Sequence, residues 1–428
     1  MVISQSLSNL DKQDLSKMQV QTVSSRIENF LAKKFRLSRS YATRKSYETG
    51  LNKFIEFVGS KYGLNLDGLV IQAKETHQVD PIQVLDDYYS YLSSYKMAGS
   101  KAAYSRSTIK HYLTVAKEFL NNEGCRIYNE DVKQRFKLPR ISSVYERGLT
   151  KQIINRLIRL ANPKLATVIL LACSSGMRIS EIVQLRLADI DFNTNPTTVT
   201  IRSETTKTRQ TRVTCLTSEA TLALKDYLRQ YLGWNENDKA DRYVFLNTHE
   251  EKICNIERKL AENNHENTLF RGQDKKRLKY LRQQCETLDK EELYSRSVIT
   301  ARNSLENQLR KVIESIPDLG IKNENSRNSI HFHAFRAWFK TQVTDAHQSD
   351  FAEALMGHTS LKLVYYRQNE KARAETFLGI EHALTISDTE KIDRNYSELQ
   401  RDNLELRGVV DSLSRQLKNL EKRIETHS

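Results

Sequence analysis

The sequence predicts a mainly helical protein with one small antiparallel β-sheet and a long C-terminal coiled-coil helix. Three observations point there. Glycine and proline are scarce, 14 and 5 of 428 residues, so few breakers interrupt a helix. Apolar residues recur at three- and four-residue spacing through most of the chain, whereas β-branched and polar residues alternate around "TTVTIRSETTKTRQTRVTCLT". At the end of the chain a leucine recurs every seventh residue.

The chain is too long for one ordinary core and implies two or three domains. A hydrophobic fraction of 39% suffices to pack them. Residues 1–20 are polar and are expected to be a flexible N-terminus. Residues 21–138 read as a small helical domain. In "TRKSYETGLNKFIEFVG", Tyr47, Leu51, Phe54, Ile55 and Val58 form one stripe, with Arg44, Lys45 and Lys53 outside it. "VLDDYYSYLSSY" adds an aromatic-rich helix. In "SRSTIKHYLTVAKEFLNNEG", Ile109, Leu113, Ala116, Phe119 and Leu120 share a face, and Arg106, Lys110 and Lys117 lie elsewhere. These basic positions suit a phosphate backbone, and they equally suit a solvated surface.

Residues 139–149 read as a linker, since Pro139 disfavours helix and polar residues follow. A second domain spans 150–385. Thr150 caps its first helix. "PKLATVILLACSSG" is an apolar helix with Pro163 at its start and Gly176 at its end. "MRISEIVQLRLADIDF" opens a short helix, the alternating stretch forms a hairpin, and Ser218 caps "SEATLALKDYLRQYL". Residues 248–295 are highly charged with few apolar positions, which marks a helical insertion. Periodicity resumes at "SVITARNSLENQLRKVIESI".

Residues 388–428 form the coiled coil. Leu399, Leu406, Leu413 and Leu420 occupy d positions, and Tyr396, Asn403, Val410, Leu417 and Ile424 occupy a positions. Asn403 suits paired helices, with Asp402 and Arg407 placed for g–e′ contacts. A helix folded back on its own protein is the alternative.

The net charge is +14, from 67 Lys and Arg against 53 Asp and Glu, with a pI near 9.3. That balance favours a polyanionic partner such as nucleic acid. The five cysteines lack C-x-x-C spacing, so neither a zinc ribbon nor a redox motif is indicated. Their odd count points to reduced thiols inside a cell. The N-terminus lacks a signal peptide's apolar run, and no stretch is apolar enough to span a membrane. Together these place the protein in the cytoplasm, with the nucleoid.

Four clusters carry candidate chemistry. In "SSGMRISE", Arg178 follows a glycine turn at a helix start, and Glu181 stands one turn on, where it can hold the guanidinium. Lys207 sits at the hairpin tip, where an ammonium can act as a general acid. In "HFHAFRAWFKT", His333 and Arg336 are three apart and share a helical face. His331 and His333 lack a third ligand at metal spacing. "LMGHTSLKLVYYRQ" carries His358 and then Tyr365 and Tyr366. Taken singly, each reads as an ion pair, a solvated lysine or packed aromatics.

In this order the clusters resemble the tyrosine recombinase, or phage integrase, family. The motifs "SGMRISEIVQLRLADID", "HFHAFRAWF" and "LMGHTS" carry the resemblance over roughly residues 145–380. The segment "YYRQNEKARAETFLGIEHALTI" is similar to archaeal members. The resemblance implies that the helical domain is a core-binding domain and 150–385 the catalytic domain. It implies a site of Arg178, Lys207, His333, Arg336 and His358, with Glu181 in support and Arg44, Lys45, Arg106, Lys110 and Lys117 on DNA. A phenol would attack a DNA phosphate and form a 3′-phosphotyrosine, with no cofactor and no metal. Family spacing from His358 favours Tyr366 slightly. The archaeal order of Tyr, aromatic and Arg or Lys favours Tyr365, the preferred nucleophile here. Double-stranded DNA and a homo-tetramer on paired sites are the implied partners, the coiled coil adding dimeric contacts. The expected activity is integration or excision of a mobile element. A type IB topoisomerase would relax a plasmid that carries no target site, and a noncatalytic DNA-binding regulator would form no covalent adduct.

Overall fold

The computed structural model describes residues 25–94, 104–135, 148–235, 241–262, 268–320, 328, 330–357 and 369–387. The expected flexible N-terminus, most of the linker and the coiled-coil heptads fall outside the described residues. The described chain is mainly helical with one three-stranded antiparallel sheet, as the sequence predicts. It divides into two compact units. One holds the N-terminal helices and residues 283–295; the other holds the remainder from residue 148.

The first unit comprises α1 (25–38), α2 (Tyr41–Tyr62), α3 (Leu66–Lys74), α4 (Pro81–Ser94), α5 (Arg106–Asn122) and α6 (Asn129–Arg135). Ser40 starts α2 by accepting from the Thr43 amide, and Ser105 does the same for α5 through Thr108. The apolar stripes read from the sequence meet in one core. Leu51, Phe54 and Val58 of α2 lie buried with Leu113, Ala116, Phe119 and Leu120 of α5. Gly50 lets the two helices approach: a Cβ there would stand 3.0 Å from Val115 Cγ2.

One placement differs from the sequence reading. Lys53 lies outside the stripe and is nevertheless buried. Its ammonium bonds Glu56 at 2.7 Å and lies 5.5 Å from the centre of the Tyr91 ring. The long alkyl stem packs inward while a carboxylate and an aromatic face hold the charge.

The second unit is built on α8 (Pro163–Ser175), which follows α7 (Lys151–Leu160). Asn162 caps α8, Pro163 opens it, and it is buried on nearly every side. It packs against α7, α10 (Ser218–Leu232), α14 (Phe332–Asp345) and the sheet. The sheet has the order β1 (Ile190–Asp191), β2 (Thr197–Ile201), β3 (Arg212–Leu216), with Ile190 opposite Val199 and Thr197 opposite Leu216. The hairpin was legible; β1 was not, because two residues cannot show an alternation.

Thr217, not Ser218, caps α10: its hydroxyl accepts from the Ala220 amide, and Ser218 is the first helical residue. The charged insertion is helical, as expected, in α11 (His249–Glu262) and α12 (Thr268–Thr287). Its last residues are already part of α13 (Lys290–Glu314). After α14 come α15 (Ser349–Met356) and α16 (Glu370–Leu384). Among the described residues no helix is long and apolar enough to cross a membrane.

Candidate active site

Gly176 ends α8 in the left-handed conformation, φ 62°, and donates its N–H to Ala172. A Cβ there would lie 2.5 Å from Phe339 Cδ1, so the turn also needs the missing side chain. Two residues later Arg178 is the N-cap of a short helix, α9 (Ile179–Val183). Glu181 reaches back to it twice: Oε2 accepts from the Arg178 amide at 2.8 Å, and Oε1 accepts from Nη1 at 2.9 Å. The spacing seen in the sequence therefore does bring the carboxylate onto the guanidinium.

A second arginine, unforeseen in the sequence, grips the same carboxylate. Arg212, at the start of β3, donates Nη2 to Oε2 at 2.7 Å and Nη1 to Oε1 at 3.1 Å. Its Nε donates to the Leu355 carbonyl at 2.8 Å. Burial pushes the fully buried Glu181 carboxyl up. Arg212 first and Arg178 next more than offset this, and the group stays below its ordinary value. Strand parity does not single out Arg212, because Thr214, Cys215 and Leu216 are all buried.

Arg336 of α14 is 2% exposed. Nη1 donates to the Gly176 carbonyl and Nη2 to the Met356 carbonyl, the latter at 2.8 Å. Its guanidinium is pulled down to about 10, by burial first and then by the Arg178 charge; Arg212 adds to the effect. It remains cationic at neutral pH. The charge of Arg178, 158 residues away in sequence, thus reaches Arg336 across the Gly176 turn. Arg178 is the more accessible, with its side chain 28% exposed. Among the described residues Arg178 and Arg212 share the buried Glu181 carboxylate, while Glu181 and Glu353 act on Arg336 through their charge, so cations outnumber the carboxylate they bond. A planar guanidinium fork suits phosphate oxygens.

The remaining predicted residues stand as follows. Lys207 is exposed in the β2–β3 connection. The connection is pinned beside it by Thr206, whose buried hydroxyl donates to the Ser203 carbonyl at 3.0 Å and accepts from the Gln210 amide at 3.1 Å. His333 lies one turn before Arg336 on the same helix, and it is exposed where Arg336 is buried. The rings of His331 and His333 stand 6.2 Å apart. α15 ends in Gly357, φ 66°, where a Cβ would come 2.7 Å from Arg212 Cδ. His358 follows directly; it, Tyr365 and Tyr366 lie outside the described residues. In the helical unit Arg44 pairs with Glu28 and Lys45 with Glu48, Lys117 bonds Asn129, and Arg106 and Lys110 are exposed.

The sequence matches the phage integrase family over residues 147–373, more than half of the chain. The chain belongs to this family. It is a tyrosine-type site-specific recombinase, which cuts and rejoins DNA strands. No curated protein matches the sequence. Among solved structures, similarity is found to a λ integrase (75–356) dimer bound to a core site. Identity is 13% and the TM-score 0.45, covering 81% of this chain and 98% of that one. XerH site-specific recombinase bound to difH substrate matches at 17% identity and a TM-score of 0.42, covering 78% and 77%. XerA recombinase matches at 16% and 0.31, covering 83% and 98%. The family match extends across the arginine cluster and the Tyr365–Tyr366 pair, and it does not distinguish the archaeal subgroup.

Proposed function

We propose that Arg178 and Arg336 clamp the nonbridging oxygens of one DNA phosphate and stabilise the charge of its pentavalent transition state. The observation that carries this is the convergence of two arginines from opposite halves of the domain on the Gly176 turn: Arg336 donates to the Gly176 carbonyl and is lowered in part by the Arg178 charge, while Glu181 and Arg212 brace Arg178. Tyr365 is the nucleophile. Its phenolic oxygen bonds to phosphorus, the bond to the 5′-oxygen breaks, and a 3′-phosphotyrosine remains. Lys207 gives the leaving 5′-oxygen its proton, His333 moves the proton of the phenol, and His358 bonds the phosphate. A second 5′-hydroxyl reverses these steps, so the phosphodiester bond is conserved.

The helical segment 21–138 is the core-binding domain, with Arg44, Lys45, Arg106, Lys110 and Lys117 on the backbone of double-stranded DNA. Residues 150–385 are the catalytic domain. A tetramer on paired sites, with 388–428 as the coiled coil, would exchange strands to integrate or excise a mobile element at the cytoplasmic nucleoid. The test is a nicked suicide duplex carrying the element's junction. A covalent adduct mapped to Tyr365 and abolished by Tyr365→Phe is expected. Attachment at Tyr366, or persistence of the adduct in Tyr365→Phe, transfers the role to Tyr366.

A further inference from the structure

The charged insertion has an asymmetry that the arginine cluster does not use. Ile256 of α11 and Leu281 of α12 are buried, and Arg282 of α12 bonds Glu257 of α11 at 2.6 Å. α12 carries six basic residues against two acidic ones. On a helix with about 100° between residues, Lys275, Lys276 and Lys279 fall on the side opposite Leu281. All three are exposed. Asp274 lies on the inward side, and Glu286 is seven residues beyond Lys279, about 10 Å along the axis.

Elsewhere in this unit prominent arginines have carboxylates: Arg156 has Asp318, Arg186 has Asp241 and Arg202 has Asp189. Among the described residues the three lysines of α12 have no ion pair. Like charges at i, i+4 spacing weaken a helix, so local stability does not account for the arrangement. Three cations occupy roughly 6 Å of helix axis. Over that length a duplex presents about three or four phosphates. A protein partner is the poorer match, since lysine is depleted from the cores of protein interfaces.

We propose that the exposed lysine face of α12 is an accessory contact for the phosphate backbone of duplex DNA, separate from the arginine cluster. The proposal rests on the reading that the chain acts on DNA. It is tested with the full chain and the triple variant Lys275→Gln, Lys276→Gln, Lys279→Gln, bound to a duplex extending beyond the junction on both sides. Affinity is measured against salt concentration. Loss of three phosphate contacts lowers the slope of log affinity against log salt by about 2.7 and the affinity near 0.15 M salt by about 10²-fold. The triple Lys→Arg variant keeps the wild-type slope. An unchanged slope in the Gln variant overturns the proposal, as does an equal loss in the Arg variant. Covalent adduct on the suicide duplex is measured in parallel at low salt. Its absence from the wild type would refute the strand-cutting reading, while the slope would still decide the role of α12.

Discussion

Removing Arg212 is the sharpest test of how the site is held. Its side chain is 8% exposed, and it is the two-point partner of a carboxylate whose own side chain has no exposure. In Arg212→Ala, Glu181 keeps only the Arg178 bonds and stays desolvated. Breaking a buried pair by deleting one partner costs about 3–5 kcal/mol. The Leu355 carbonyl also loses its charged donor. Urea unfolding at pH 7 should show a loss of about 3 kcal/mol or more. Arg212→Lys keeps the charge but not the fork and should fall between the two.

The pH dependence supplies a second reading of the same experiment. In the wild type the Glu181 carboxyl is depressed below its unfolded value of 4.5. Its contribution is therefore present above pH 4.5 and is lost as pH falls through the lower folded value. In Arg212→Ala the burial penalty is offset by Arg178 alone, so protonation relieves it. The deficit of the variant should shrink as pH drops below about 4.5. A variant within about 0.5 kcal/mol of wild type at pH 7, or a deficit that does not shrink in acid, would refute the reasoning.

Further outcomes follow from the same geometry. Gly176→Ala places a Cβ 2.5 Å from Phe339 at a left-handed residue, and a loss of roughly 2–4 kcal/mol in urea is expected. Inorganic phosphate should raise the thermal midpoint by bonding the clustered guanidiniums. The stabilisation is about 1.4 kcal/mol at tenfold excess over its Kd, and Arg178→Gln should largely abolish it. Lys207→Ala should leave stability unchanged, because the side chain is exposed, yet slow adduct formation. A substrate with sulfur in place of the leaving 5′-oxygen needs no proton and should restore the rate. Arg336→Ala should damage both stability and cleavage, and Arg178→Ala mainly cleavage, as unfolding and adduct assays will show.

The sequence carried the fold wherever a period had room to repeat. α2, α5 and α8 each run for thirteen residues or more, enough to define a stripe or an apolar block. β1 has two residues and left no such trace. Local chemistry was equally readable: Gly176, Arg178 and Glu181 lie within six residues, and the structure joins them as their spacing implied. Arg212 was not read, because its partners are 31 and 143 residues away. Lys53 was misassigned for a related reason. Its helical angle lies about 100° outside the stripe, and its burial comes with Glu56 and with the Tyr91 ring on another helix. Long-range partners of charged residues are set by tertiary packing, which periodicity does not encode.

The arginine cluster also shows how a fold holds several cations close together. One carboxylate bonds two of the three guanidiniums, and backbone supplies further acceptors. The acceptors are the carbonyls of Gly176, Leu355 and Met356. Gly176 closes α8, and Leu355 and Met356 are the last residues of α15. Helix C-termini carry partial negative charge and orphan carbonyls. The cations satisfy those groups and are themselves stabilised. Such acceptors are fixed by the helices and need no further side chain to position them. They also carry no full charge, so they align the arginines without neutralising them. A carboxylate at each position would neutralise the cluster and repel phosphate. Two helix ends and one glutamate instead keep the arginines aligned, with backbone carbonyls and a single bonded carboxylate as their acceptors.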